Sequence, residues 1–133
     1  LSYYYARQMV QDTDPLKASW YEACRLNRNL QLCLYSLLDI AIHYEGATLS
    51  QVQAILGKMG IKGQETVSSI YQYIVEEPVN YLKYYLGFLE FLSLRDQAAK
   101  IWGEEFSLPR FHRFVLETGP SDFQGLYERL SSY

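Results

Sequence analysis

The stretch "LKASWYEACRLNRNLQLCLYSLLDIAIHYEG", from Leu16 to Gly46, contains no glycine or proline before its last residue. No strand runs that long without a break, since strands average about five or six residues. One long helix accounts for it. Asp14-Pro15 supplies an N-cap with proline at the first helical position, and Gly46 offers a C′ residue at the far end. Leu30, Leu34, Leu37, Leu38 and Ala41 recur on one stripe, which must be covered by another element of similar length.

The rest of the chain reads in the same way. Leu1 to about Gln11 forms a first helix. Thr48 opens T-L-S-Q, a capping box with Gln51 at its third helical position, before Val52, Ile55, Leu56 and Met59, and this short helix stops at Gly60. After Gly63, "QETVSSIYQYIVEE" places Val67, Ile70, Tyr71 and Ile74 on one face as far as Pro78. Pro78 begins or kinks the next helix, about Val79 to Trp102. Ser107 and Pro109 start another helix, and Ser121 caps a last one running to Tyr133.

The expected fold is therefore all-α: about seven helices in one irregular bundle, a single helical domain over residues 1–133. Its two long central helices, Leu16 to Glu45 and Val79 to Trp102, are expected to pack lengthwise and antiparallel. No 34-residue repeat is present, because the helices are too unequal for stacked identical hairpins.

Composition excludes several functions. A net charge of −3 with scattered Lys and Arg offers no basic field for nucleic acid. No apolar run approaches the roughly 18 residues needed to span a bilayer. The start "LSYYYARQ" has neither a basic leader nor an initiator Met, so the chain reads as part of a longer one. Cys24 and Cys33 sit on opposite faces of one helix and cannot bridge each other, which fits reduced thiols in a cytosol-like compartment.

Catalytic motifs are scarce. The two histidines, His43 and His112, lie in different helices, and HExxH, Glu-x-x-His pairs, CxxC, a Gly-x-Ser-x-Gly elbow and a phosphate-binding glycine loop are all missing. Arg25 and Arg28, one turn apart, form either an anion contact or a solvated face. The residues themselves predict no metal site and no cofactor in this chain.

A longer pattern runs through the second half. Pro78, Tyr84 and Gly87 are followed by Leu94-Arg95, Ala98, Gly103, Phe106, Phe111-His112, Leu116 and Gly119, and upstream by Asp39, His43, Gly46 and Thr48. This resembles the bacterial domain-of-unknown-function family numbered 885, over nearly the whole chain. "SYYYA" is similar to the segment just after that family's Glu-Gly-Trp-Ala stretch. The chain departs from the family at Ala47, where tryptophan is usual, at Tyr35 and Arg113, where arginine and aspartate are common, and at Val79-Asn80, in place of Gly-Gln.

The resemblance implies a zincin-like metallopeptidase whose His-Glu metal motif and downstream glutamate lie before Leu1. This chain would then be its C-terminal helical portion, inactive alone. Zinc is implied for the parent only, with the missing N-terminal part as partner and a peptide as substrate. In such an enzyme a tyrosine hydroxyl can stabilise the tetrahedral oxyanion. Tyr84 is the candidate donor and His112 a second catalytic candidate, while His43 and Arg95 are expected on the substrate side.

Each has a plainer alternative. Tyr81, Tyr84, Tyr85, Phe88 and Phe91 sit at core spacing, with Gly87 allowing either close helix packing or approach of a ligand. His43 suits the end of a helix dipole, His112 the inside of a half-buried face, and Arg95 an ion pair. The alternative function is a non-catalytic helical module whose tyrosine-rich surface binds a protein.

Overall fold

A computed structural model describes residues 2–133, with side chains from Ala6 onward. It contains seven α-helices and no strand among the described residues. They are α1 (Ser2–Val10), α2 (Pro15–His43), α3 (Leu49–Lys58), α4 (Gln64–Glu76), α5 (Asn80–Trp102), α6 (Leu108–Thr118) and α7 (Phe123–Leu130), with a 3-10 turn, Gly103–Glu105, after α5. Leu1, the expected start of the first helix, lies outside the described residues. Among the described residues no helix is long and apolar enough to cross a membrane. The chain divides into two compact units, Leu1–Tyr85 and Leu86–Tyr133, with the boundary inside α5.

In the first unit, α2 is the spine. Asp14 accepts from the Lys17 amide at 3.0 Å and Pro15 occupies the first turn, so the helix starts where its sequence signals it. At the other end the cap is Tyr44, and the Ile40 carbonyl receives the amides of both Tyr44 and Glu45. Gly46, with φ +72°, comes two residues past that cap, where the chain reverses so that Ala47 N–H reaches the Ala41 carbonyl. The expected C′ glycine thus comes one residue late, because the Glu45 amide reaches back five residues to Ile40 and widens the last turn.

Leu34, Leu38 and Ile42 of α2 meet Val52 and Leu56 of α3 and Val67 and Ile74 of α4 in one aliphatic core. Each large side chain buried there contributes about 1.5–3 kcal/mol. Leu30 and Leu37, expected on the same stripe, are 58% and 60% exposed. The apolar arc of α2 is roughly 140° wide at 100° per residue, and the core takes only the side centred on Leu38. The capping box forms as expected, with Thr48 N–H donating to Gln51 Oε1 at 2.8 Å. The first turns of α5 touch α2 through Tyr81, whose ring stands edge-on to Tyr35 at 4.7 Å.

The second unit is built on rings. Leu94, Ala98 and Trp102 of α5 join Phe111 and Phe114 of α6 and Leu126 and Leu130 of α7. Ser107 caps α6 by accepting from the Arg110 amide. The last helix is capped by Asp122, not Ser121, since the Asp122 carboxylate accepts from the Gly125 amide at 2.8 Å while the Ser121 hydroxyl turns to the Asp122 carbonyl. The helix ends at Leu130, three residues before Tyr133.

Candidate functional site

His43 and Tyr84 belong to the first unit, Arg95 and His112 to the second. Within the first, His43 is the last residue of α2, and its Nε2 lies 3.0 Å from the Ile74 carbonyl oxygen of α4. A carbonyl only accepts, so Nε2 carries the hydrogen and donates. One turn back on α2, Asp39 is 3% exposed, and its Oδ1 lies 3.9 Å from the same nitrogen. Asp39 was not among the expected site residues. A carboxylate four residues before a histidine was the available signal, since that spacing puts both on one helix face.

Tyr84 is 60% exposed, and its hydroxyl has no hydrogen-bond partner among the described residues. The Lys83 ammonium sits 5.2 Å from its ring centroid. Tyr84 is therefore not a core ring. Its neighbours divide differently: Tyr81 packs between Tyr35 and Tyr73, and burial, more than its phenol neighbours, pushes its hydroxyl pKa up. Tyr85 is hydrogen-bonded to the Cys33 thiol, which raises its pKa. Both cysteines are free.

In the second unit, Arg95 donates from Nε and Nη2 to Asp96 Oδ1 at 3.0 and 2.7 Å. Both groups are substantially exposed, so the pair stabilises little, and a substrate carboxylate would have to displace Asp96. His112 is half-buried on α6, with its ring 6.0 Å from that of Phe111. Gly87 is not a close-packing residue: a Cβ added there meets nothing within 4 Å.

The anion contact weighed for Arg25 and Arg28 is not formed by free cations. Arg25 binds Glu22 through two nitrogens, at 3.0 and 2.6 Å, and this hydrogen bonding lowers the Glu22 pKa. Arg28 donates to Gln31. A shallow hollow of about 460 Å³ lies beside Arg7, Ser19, Glu22 and Leu26, and another of about 560 Å³ beside Ser107, Arg110, Arg113 and Tyr133. Neither is lined by an expected site residue.

Among the described residues no three His, Cys, Asp or Glu side chains converge where a metal ion could sit. His43 already commits one ring nitrogen to a carbonyl. The residues present do not fit zinc, which needs three or four converging ligands.

These features define an all-α protein whose candidate functional groups are side chains displayed on helices. It belongs to the family described as Bacterial protein of unknown function (DUF885), whose model matches residues 4–128. No curated protein and no solved structure matches the chain.

Proposed function

We propose that this chain is the C-terminal helical portion of a zinc-dependent peptidase and supplies substrate-side residues to a site whose metal ligands lie in other sequence. The observation that carries this reading is Tyr84: an exposed tyrosine on a long helix, its hydroxyl without a hydrogen-bond partner among the described residues, in a chain belonging to this family. A phenol held this way can donate to an oxyanion. Arg95 can exchange Asp96 for a peptide carboxylate, and His112 is a second candidate for proton transfer or contact with substrate.

A specific observation favours a second reading, a module that binds protein without catalysis. Leu16, Trp20, Leu26, Leu30 and Leu37 are all exposed along α2, as is Tyr44 at its cap, and such apolar residues can form a docking surface.

Turnover of a peptide by the full-length parent separates the two. Tyr84→Phe keeps the ring and removes one donor, so kcat should fall about a hundredfold, with KM and melting temperature nearly unchanged. An unchanged kcat in that variant removes Tyr84 from catalysis. Absence of any chelator-sensitive hydrolysis in the parent leaves the binding module as the function.

A further inference from the structure

In α4 each carbonyl accepts from the amide four residues on, as Tyr73 does from Glu77 at 3.0 Å. The next carbonyl, that of Ile74, would need the amide of residue 78. That residue is Pro78, which has no N–H. Ile74 is 1% exposed, so its carbonyl has poor access to water as a substitute. The His43 Nε2–H stands 3.0 Å away, reaching across 31 positions of sequence.

We propose that His43 is a positioning residue that replaces the hydrogen bond Pro78 removes, and thereby fixes the α4–α5 junction from which Tyr84 is displayed. The junction needs such a fixture. Between the helices, Val79 adopts φ +65°, a conformation that β-branched residues strongly disfavour, so the turn does not form from local preference. Pro78 ends α4, Val79 redirects the chain, and the Asn80 amide then bonds the Glu77 carbonyl at 3.3 Å. The Asn80 side chain also donates to the Tyr73 hydroxyl at 3.3 Å.

The end of α2 is held in turn by the core around Leu38 and Ile42, so His43 ties a strained turn to a well-packed helix. Asp39 Oδ1 faces the same ring nitrogen from α2, and the Ile74 carbonyl faces it from α4. Both are acceptors and both orient the N–H. With Nε2 committed, the nitrogen left for any other ligand is Nδ1, which in the neutral ring is an acceptor. A substrate group meeting His43 must then bring a donor.

The bond across the junction does not depend on the peptidase reading; only the purpose of displaying Tyr84 rests on it. A double-mutant cycle on this chain tests the bond without reading activity. His43→Ala should lower the folding equilibrium constant about tenfold or more, since it strands a buried carbonyl. In a Pro78→Ala background, where residue 78 regains its amide, the same change should cost less than about threefold. His43→Gln, whose amide N–H can reach the carbonyl, should recover most of the loss.

Equal losses in both backgrounds would overturn the proposal. If His43→Ala does not fold, ring nitrogen shifts of the unmodified chain decide: a neutral His43 protonated at Nε2 supports the bond, and one protonated at Nδ1 overturns it. Because turnover enters neither measurement, failure here leaves the role of Tyr84 to the Tyr84→Phe kinetics.

Discussion

The two units solve the same problem with different materials. The first fills its core with aliphatic side chains, Leu34, Leu38, Ile42, Val52, Leu56, Val67 and Ile74. The second depends on rings, where Trp102 lies 5.9 Å from Phe114 and 5.7 Å from Tyr133 and carries the Arg110 guanidinium 4.7 Å from its centroid. Aliphatic side chains interdigitate without bringing polar atoms inside. The aromatic core leaves the indole N–H of Trp102 buried without a partner among the described residues, a group whose desolvation costs about 1–3 kcal/mol. A few large rings allow three short segments to bury enough surface, but they concentrate stability in few residues.

That difference predicts unequal damage. Phe114→Ala, removing a fully buried ring with two aromatic neighbours, should cost about 3–5 kcal/mol and expose amides of α6 and α7 to exchange. Leu38→Ala should cost about 2–5 kcal/mol, toward the lower end if α3 and α4 can close the gap. Denaturant melts give both values. A larger loss for Leu38→Ala would reverse the ranking of the two cores.

What the sequence revealed was mostly local. The starts of α2, α3 and α6 follow from Asp14-Pro15, Thr48 with Gln51, and Ser107 with Pro109, because capping is settled within four residues. The all-α class followed from the same signals. The buried side of each stripe was harder to read: Leu30 and Leu37 have the same chemistry and spacing as Leu34 and Leu38, and only the placement of α3 and α4 separates them. For the site, Tyr84 and His43 were visible as residues, but the bond from His43 to Ile74 was not, since nothing near position 43 names a carbonyl that a distant proline has orphaned.

The junctions sharpen the contrast between helix ends that obey local rules and one that does not. After α2 the positive φ falls on Gly46, where it is free of strain, whereas after α4 it falls on Val79. Glycine, with no Cβ, adopts that left-handed backbone without the clash a β-branched side chain meets. Relief of roughly 1–3 kcal/mol of strain outweighs glycine's entropy cost of about 0.5–1 kcal/mol, so Val79→Gly should stabilise the first unit by about 1–2 kcal/mol. Val79 is half exposed, so little packing is lost. A melting temperature that falls in this variant would show that the valine side chain does more than its surroundings indicate.

The smallest expected effect lies at Gly87, two residues into the second unit. It sits inside α5 with helix on both sides, at a place that makes no conformational demand for glycine, since its φ is not positive and an added Cβ would meet nothing within 4 Å. Gly87→Ala should therefore stabilise the chain by about 0.5–1 kcal/mol, through lower entropy of the unfolded state and better helix propensity. In the proposed peptidase the same methyl group distinguishes two uses of the open space. If the space is needed by substrate or by the rest of the protein, turnover or assembly should suffer while the isolated chain gains stability. If both melting temperature and turnover rise or hold, the glycine is a local weakness of α5 with no functional demand on it.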